Sequence, residues 1–284
     1  MPKPIFITKA AGDREVFSLG KLRYSLQKSG ARAKEIEDIL QQIRKELRPG
    51  MSTATIYRLA FGLLKAVGNH YAARYNLKRS IMAIGPSGFP FEKYFAALLE
   101  KQGYKTYTNQ TFQGKCISHE IDVVAEIPDK NIHAIIECKF HIRPGGKTGA
   151  KDILYTHARF MDVNNQWVAK RKQGAKPQSG ELQSWLVTNT KVTSEVKKYG
   201  LCAGVKVISW DYPAGQSLQN FVERDGLYPL TSLISLSNYQ KRYLLRLGVV
   251  LCKDVLNYKN QLKRLGVVNG KLTRLESEIQ ALCG

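Results

Sequence analysis

The chain has 284 residues, of which 43% are hydrophobic and 24% are charged. This composition is ordinary for a folded globular protein and excludes a largely disordered chain. The charge balance is unusual, because 44 Lys and Arg residues face only 23 Asp and Glu residues, which gives a formal net charge of +21. A surplus of this size attracts polyanions and predicts a nucleic-acid partner. An anionic membrane surface is the competing partner, but the basic residues are spread along the chain and form no single amphipathic helix.

Hydropathy and cysteine usage predict the compartment. No stretch approaches the roughly 18 consecutive apolar residues that a membrane-spanning helix needs, so we expect no membrane partner. The five cysteines are widely spaced and form no C-x-x-C pair, a pattern typical of a reducing environment. Near the amino terminus only the short apolar run Ile5–Ile7 precedes polar residues, which does not fit a secretory signal. We therefore expect a cytoplasmic protein.

The first predicted module spans residues 1–85 and is mainly helical. It opens with two short strand patterns, at residues 4–7 and 15–17, on either side of a glycine-containing turn. Apolar residues at 3.6-residue spacing then predict amphipathic helices. Pro49-Gly50 ends one of these helices and separates it from the next. The pattern indicates a small helical unit with a β-hairpin at its front.

The second predicted module spans residues 86–225, and the breaker run Gly85–Gly88 marks its start. The expected helices cover residues 90–103, 153–163 and 194–199, and the expected strands cover residues 105–108, 121–127, 132–139, 184–188 and 205–210. This alternation of strands and helices indicates an α/β sheet. The third module, residues 226–284, has the pattern of short basic helices separated by Gly248 and Gly266.

Two of the predicted strands carry the pattern that points to chemistry. Successive side chains of a strand alternate between its faces, so Glu137 and Lys139 share one face of the strand at 132–139. A hairpin with the strand at 121–127 brings Asp122 beside them. Two carboxylates and a lysine then converge at one end of apolar strands, where buried charges are costly unless they are paired or bind a cation.

These residue types suit metal-dependent hydrolysis of a phosphodiester. Carboxylate oxygens are the ligands that Mg²⁺ prefers, so we expect Asp122 and Glu137 to bind Mg²⁺ or Mn²⁺. The metal would activate a bound water and neutralise charge on the phosphate. Lys139 would orient or deprotonate that water, or stabilise the pentavalent phosphate. The alternative is a surface hairpin that carries a common Glu-x-Lys pair.

A zinc site at Cys116-x-x-His119 and Cys138-x-x-His141 is a further alternative. If the second strand continues, Cys138 and His141 point to opposite faces, which argues against chelation. Cys138 also lies on the face opposite Glu137, as a core residue would.

The residues of the carboxylate site carry a resemblance to a known family. Asp122 and the run Glu137-Cys138-Lys139, with fourteen residues between them, resemble the motif of the PD-(D/E)xK nucleases. Ile121 stands where the motif has proline, a departure that is frequent in that superfamily. The resemblance implies an enzyme that hydrolyses DNA phosphodiester bonds and has a mixed sheet flanked by helices.

A wider pattern, over about residues 88–212, resembles the Mrr-like restriction endonucleases of that superfamily. The pattern joins the site to the following residues: Phe91-Glu92, Leu98-Leu99, Gly103-Tyr104 and Glu120–Val124. The resemblance implies that Glu92, on the first helix, is an acidic residue that supports the metal site. It implies Glu120 as an additional carboxylate.

The amino-terminal module, over about residues 4–84, resembles an ATP-cone, a nucleotide-sensing domain of ribonucleotide reductases. The resemblance is carried by the following residues: Ile7-Thr8-Lys9, Gly12, Glu15, Phe17, Lys21-Leu22 and Ala72–Tyr75. It implies that Lys9 and Lys21 lie near the phosphates of a bound nucleotide such as ATP or dATP. A retained scaffold that contacts DNA or a partner is the alternative.

An ATP-cone joined to an Mrr-like nuclease is a known architecture, and residues 226–284 are weakly similar to helix-hairpin-helix DNA-binding modules, with a simple helical cap as the alternative. We therefore expect an α/β nuclease core, an amino-terminal mainly helical ATP-cone-like domain and a small carboxyl-terminal helical domain. The expected function is a metal-dependent endodeoxyribonuclease of restriction or DNA repair, regulated by a nucleotide. Double-strand cutting with one site per chain predicts a homodimer. The rivals are a non-catalytic DNA-binding protein and a nucleotide-regulated transcription factor.

Overall fold

The computed structural model describes residues 4–9, 12–143, 145–172 and 180–284. The chain forms two compact units. The first unit consists of the residues up to Ser80, Tyr228–Tyr243 and Cys252–Gly284. The second unit consists of Ile81–Leu227 and Leu244–Leu251. The sequence predicts a separate module at residues 226–284, whereas most of that segment lies in the same unit as the amino-terminal helices.

The strands and helices of the described residues are numbered in chain order. The strands are β1 (Phe6–Thr8), β2 (Arg14–Val16), β3 (Lys105–Gln113), β4 (Ser118–Ile127), β5 (Ile132–Lys139), β6 (Lys147–Thr148), β7 (Glu181–Thr188), β8 (Lys191–Val192) and β9 (Lys206–Ile208). The α-helices are α1 (Leu19–Lys28), α2 (Ala33–Glu46), α3 (Thr53–Val67), α4 (Asn69–Tyr75), α5 (Leu77–Met82), α6 (Phe89–Glu100), α7 (Ala150–Lys172), α8 (Ser194–Ala203), α9 (Leu218–Asp225), α10 (Asn238–Arg246), α11 (Lys259–Arg264) and α12 (Gly270–Cys283). Short 3-10 helices lie at Pro128–Lys130, Leu230–Ser232 and Cys252–Tyr258. In the described part of the chain, no helix is both long and apolar enough to cross a membrane.

In the first unit a β-hairpin precedes a group of packed helices. β1 pairs antiparallel with β2, and Ile7 lies opposite Glu15. The apolar stripes of α1, α2 and α3 bury Leu26, Leu40 and Leu64 in a common core, because residues three and four apart share one face of a helix. The hairpin and the amphipathic helices predicted for this region are confirmed.

A buried carboxylate organises the carboxyl-terminal part of the first unit. The two oxygens of Glu278, on α12, accept hydrogen bonds from the backbone N–H groups of Ile234 (2.6 Å) and Ser235 (2.8 Å). Glu278 is only 4% exposed, and Ile234 and Ser235 are partly buried, so these bonds pair a buried carboxylate with backbone donors to which water has restricted access. Lys241 Nζ donates to the carbonyl oxygen of Thr231 at 3.1 Å in the same region. Side chains therefore hold the chain between the 3-10 helix and α10 in place.

The second unit is built on a five-stranded mixed sheet. Its strand order is β3-β4-β5-β7-β9, in which β3, β4 and β5 are antiparallel and β5, β7 and β9 are parallel. Parallel neighbours need crossover connections, and α7 and α8 lie in those connections. The predicted mixed sheet flanked by helices, with a helical carboxyl-terminal region, is confirmed.

Close packing of α7 and α8 against the sheet fixes the strand ends. Val163 and Trp167 of α7 belong to the same buried cluster as Ile135 of β5. On α8, a Cβ atom at Gly200 would lie 2.8 Å from Cγ2 of Val207. The absence of a side chain at Gly200 therefore permits the close approach of α8 to β9.

The role of the Glu278 carboxylate can be tested by its removal. In Glu278→Ala the backbone N–H groups of Ile234 and Ser235 lose their acceptor, and each unsatisfied buried donor costs about 1–3 kcal/mol. We expect the free energy of unfolding of the first unit to fall by about 3 kcal/mol and hydrogen exchange at those two amides to accelerate. Glu276→Ala removes a less buried carboxylate of the same helix and is the control. Unchanged exchange rates in Glu278→Ala would contradict this role.

Candidate active site

The site lies where β4 and β5 leave their common ladder. The antiparallel register ends with Val123 opposite Ile136, and Asp122 and Glu137 are the next residues on the two strands. Asp122 Oδ2 accepts a hydrogen bond from the backbone N–H of Cys138 at 2.7 Å. A carboxylate therefore joins the two strands at the point where the backbone ladder stops. The hairpin expected from the sequence is present, and its register brings the two acidic residues together.

Glu92, in the first turn of α6, is the third carboxylate of this site. Its pKa is raised to about 7, first by burial and then by the negative charges of Asp122 and Glu137. Burial is also the main reason why the pKa of Asp122 and that of Glu137 lie above their usual range. The three carboxylates are therefore close enough to repel one another in a partly dehydrated place.

The strongest positive charge at the site comes from Arg159 of α7. Its Nη1 donates to Oε2 of Glu137, and its Nη2 donates to the hydroxyl of Tyr155 at 2.6 Å. Arg159 is 14% exposed and Glu137 is 19% exposed. The guanidinium charge lowers the pKa of Asp122 and that of Glu137, against the larger effect of burial. The sequence alone does not predict this contact between Arg159 and Glu137.

Lys139 stands at the end of β5, two residues beyond Glu137. Its Nζ lies 3.2 Å from Oδ1 of Asp152, and 46% of the lysine side chain is exposed. The other oxygen of Asp152 accepts the backbone N–H of Gly149 at 3.0 Å, just before α7 begins. The start of α7 thus orients Lys139, whose charge also lowers the pKa of Glu137 and Asp122.

A network of buried polar side chains holds the chain that follows Lys139. Asn189 donates to the carbonyl oxygen of His141 and accepts from its backbone N–H, both at 2.8 Å. His141 Nε2 lies 3.0 Å from the Thr148 hydroxyl, which donates to the Thr188 hydroxyl at 2.9 Å. The side-chain amide of Asn189 thus pairs with both backbone groups of His141, as a neighbouring strand would. This pairing fixes the path of the chain beyond the end of β5.

The donor set fits a hard divalent cation, although it is not arranged around one. Within the described ranges, no group of three or more His, Cys, Asp or Glu side chains is placed to hold a metal ion. The reason is local, because Asp122 is turned to the N–H of Cys138 and Glu137 to Arg159. Burial, followed by the negative charges of Asp122 and Glu137, raises the pKa of Glu92 to about 7, and no basic side chain of the described residues provides compensation. A cation with oxygen ligands would supply that compensation.

The two C-x-x-H pairs are engaged in other contacts. His119 Nε2 lies 2.8 Å from Oδ2 of Asp162, and the same carboxylate accepts the backbone N–H of Cys116 at 2.8 Å. These bonds tie the β3–β4 turn to α7. His141 bonds to a threonine hydroxyl, and Cys138 is buried. The geometry therefore favours structural roles for these residues.

The lysines expected near nucleotide phosphates lie at one cavity of the first unit. The cavity has a volume of about 420 Å³, and Lys9, Lys21, Tyr57 and Tyr75 are among its lining residues. Both lysines form ion pairs with Glu15, whose pKa these bonds lower to about 2, Lys21 having the larger effect. The rings of Tyr57 and Tyr75 stack with centroids 5.0 Å apart. Basic and aromatic side chains thus face the same space.

Comparisons with known proteins show what this chain is similar to. Residues 228–283 match the family model described as AF1548-like, C-terminal. The chain is 37% identical over 190 residues to an uncharacterized protein of Archaeoglobus fulgidus, and the alignment covers 66% of this chain and 99% of that protein. A crystal structure of AF1548, described as a protein of unknown function, is 35% identical, with a TM-score of 0.52 and coverage of 69% of this chain and 96% of that one. The chain therefore belongs to the AF1548-like family.

Proposed function

We propose that this protein is a metal-dependent endodeoxyribonuclease. The observation that supports it most is the grouping of Glu92, Asp122 and Glu137, three partly buried carboxylates whose mutual repulsion is only partly relieved. Lys139 follows Glu137 on the same strand and is exposed enough to meet a substrate. Carboxylates that share a dehydrated site without enough positive charge nearby destabilise the fold, but they are well suited to bind a cation.

In this proposal Asp122 and Glu137 hold Mg²⁺ or Mn²⁺, and Glu92 supports them from the first turn of α6. When bound, the cation supplies an activated water and charge neutralisation at the scissile phosphate. Lys139 orients the attacking water or stabilises the negative charge that develops on the phosphate. Asp152 keeps the Lys139 ammonium at the end of β5 through their ion pair.

The proposed substrate is DNA, because the surroundings of the site are basic. Arg143, Lys147 and Lys151 are exposed and follow Lys139 along the chain, in the connection from β5 to the first turn of α7. Such residues neutralise backbone phosphates and position a duplex without reading its sequence. The net charge of +21 adds long-range attraction. A homodimer would present two sites to the two strands of one duplex, in restriction or in repair.

Cleavage of plasmid DNA tests the proposal. With Mg²⁺ or Mn²⁺, we expect the wild type to nick or linearise the plasmid. Asp122→Asn, Glu137→Gln and Lys139→Ala should each lower the rate at least about a hundred-fold, because each removes a group that acts on the transition state. Gel quantification of supercoiled, nicked and linear DNA provides the rate.

Matched controls lie at the other end of the same hairpin. Asp129→Asn and Lys130→Ala remove an exposed carboxylate and an exposed ammonium from the turn between β4 and β5, and both should cut at the wild-type rate. Cutting that survives Asp122→Asn and Lys139→Ala would show that the site is wrong. DNA binding without cutting on methylated, unmethylated, branched and single-stranded substrates would favour the rival reading, a non-catalytic DNA-binding protein.

The metal-free protein provides a pH-dependent prediction at Glu92. The folded-state pKa of about 7 exceeds the ordinary value of 4.5, so the folded chain binds the proton more tightly than the unfolded chain does. Protonated Glu92 therefore contributes its full stabilisation of the folded state below about pH 4.5. This contribution to the free energy of unfolding is lost as the pH rises through about 7 and the folded chain releases the proton. Glu92→Gln removes the charge, so we expect its Tm to exceed that of the wild type by about 2–4 °C at pH 8.5 and to equal it near pH 4.5. Glu100→Gln, at the exposed end of the same helix, is the control, and a Tm difference independent of pH would contradict the assignment.

We further propose that the first unit binds a nucleotide such as ATP or dATP and that this regulates cleavage. The cavity next to β1 and α1 supports the proposal, since Lys9 and Lys21 line it together with two stacked tyrosines. Phosphate oxygens would take over the two ammonium groups from Glu15, which pairs with both. These ion pairs are largely exposed to solvent, so their exchange for phosphate contacts costs little.

Calorimetric titration with ATP and dATP tests the nucleotide site. Lys9→Ala and Lys21→Ala should each weaken binding about ten-fold or more, because a hydrogen bond to a charged group is worth about 1.5–3 kcal/mol. Lys28→Ala removes an exposed lysine from the last turn of α1 and should bind as the wild type does. No heat with either nucleotide, together with unchanged plasmid cutting in their presence, would eliminate the regulatory role.

A further inference from the structure

Arg159 is held on two sides beside the proposed metal ligands. Its Nη1 bonds to Oε2 of Glu137, and its Nη2 donates to the Tyr155 hydroxyl at 2.6 Å. The guanidinium carbon lies 4.7 Å from the centre of the Tyr155 ring. One guanidinium thus bridges a partly buried carboxylate and a tyrosine that is 57% exposed.

The contact with Glu137 occupies Oε2, one of the two carboxylate oxygens that a metal could bind. A guanidinium satisfies such an oxygen with charge and with directed hydrogen bonds. A divalent cation at the same oxygen would repel the guanidinium, so the two positive groups compete for Glu137. The Nε of Arg159 is buried and has no hydrogen-bond partner among the described residues. The present arrangement therefore leaves one donor of Arg159 unsatisfied.

Resting on the proposed nuclease function, we propose that Arg159 is an internal counter-ion that neutralises Glu137 until a divalent cation displaces it. The partly buried carboxylate is costly without a positive partner, so the metal-free protein needs Arg159 for the same reason that it would bind a cation. When the cation displaces Arg159 from Glu137, the planar, forked guanidinium regains free N–H donors while it keeps its hydrogen bond to the exposed Tyr155. A backbone phosphate of DNA is the acceptor that suits this fork.

This arrangement couples cation binding to DNA binding. Without the cation, the positive charge of Arg159 is neutralised by Glu137. With the cation, the same charge is available to a phosphate, together with the exposed Lys151 earlier on α7. Binding of one ligand thus strengthens binding of the other, and linkage requires the effect to be reciprocal.

Calorimetric titration of DNA-free protein with Mn²⁺ at pH 8 tests the competition. Arg159→Gln keeps a shorter, uncharged hydrogen-bonding side chain and removes the competing charge, so we expect Mn²⁺ to bind about ten-fold more tightly, an effect on the order of 1.4 kcal/mol. Arg159→Lys keeps the charge and should bind Mn²⁺ within about two-fold of the wild type. Lys170→Gln, which removes an exposed charge from the same helix, is the matched control for the loss of net charge.

The outcomes separate this inference from the function on which it rests. Equal or weaker Mn²⁺ binding by Arg159→Gln, with a wild-type circular dichroism spectrum and with DNA still cut by the wild type, overturns the counter-ion role and leaves the nuclease function standing. Tighter binding by Lys170→Gln of the same size would also overturn it, because the effect would then be one of net charge. No binding of Mn²⁺ and no cutting by the wild type would overturn the function and the inference together.

A second measurement tests where the displaced guanidinium goes. Fluorescence anisotropy with a labelled duplex gives the affinity for DNA in EDTA and in saturating Ca²⁺, with the duplex verified as intact on a gel. We expect Ca²⁺ to strengthen binding by a larger factor in the wild type than in Arg159→Gln. Equal factors in the two proteins would overturn the coupling to DNA.

Discussion

The position of Glu137 in the middle of a sheet is the constraint on which the site depends. β5 is hydrogen-bonded to β4 on one side and to β7 on the other, where Glu137 lies opposite Leu186. Because Glu137 is paired with β7 and the preceding residue, Ile136, is paired with β4, the backbone cannot shift to carry this carboxylate into water. Its charge must therefore be compensated where it stands, by side chains that other elements bring to it or by a cation.

The compensation is shared unequally among the three carboxylates. Asp122 receives the backbone N–H of Cys138, and Glu137 receives the guanidinium of Arg159. Glu92 lies in the first turn of α6, where the helix dipole favours an anion, yet its pKa is still raised to about 7. Burial is the main cause of this shift, and no basic side chain in the described part of the chain offsets it. This deficit of positive charge distinguishes the cluster from a structural ion-pair network, in which every charge has a partner. The deficit, not the residue types alone, is the physical argument for a cation.

Much of this site could be predicted from the sequence, because strand alternation is a local rule. It places Glu137 and Lys139 on one face of β5, and a short turn then dictates that Asp122 arrives on the neighbouring strand. Arg159 could not be predicted in this way, since its contact with Glu137 depends on how α7 crosses the sheet after β5. The carboxyl-terminal segment is a similar case. Its helices were predicted from local patterns, but its packing in the first unit depends on long-range contacts and was not predicted. That packing involves contacts such as Glu278 with Ile234, which no periodicity encodes.

Each unit contains ion pairs between a basic side chain and a glutamate, but the pairs differ in their exposure to water. This exposure determines how easily each pair can exchange one partner for another ion. Lys9 and Lys21 are 50% and 74% exposed in their pairs with Glu15, so water and salt screen these pairs and little free energy opposes their replacement by another anion. Arg159 and Glu137 are 14% and 19% exposed, and separating them without a substitute would leave a carboxylate uncompensated in a poorly hydrated place. A monovalent ion at solution concentration is a weak substitute there, because it brings less charge and holds its ligands less firmly. A divalent cation with oxygen ligands can replace the guanidinium as the partner of Glu137. The burial of the Arg159–Glu137 pair is therefore the reason why the proposed site would select a divalent cation over a monovalent one.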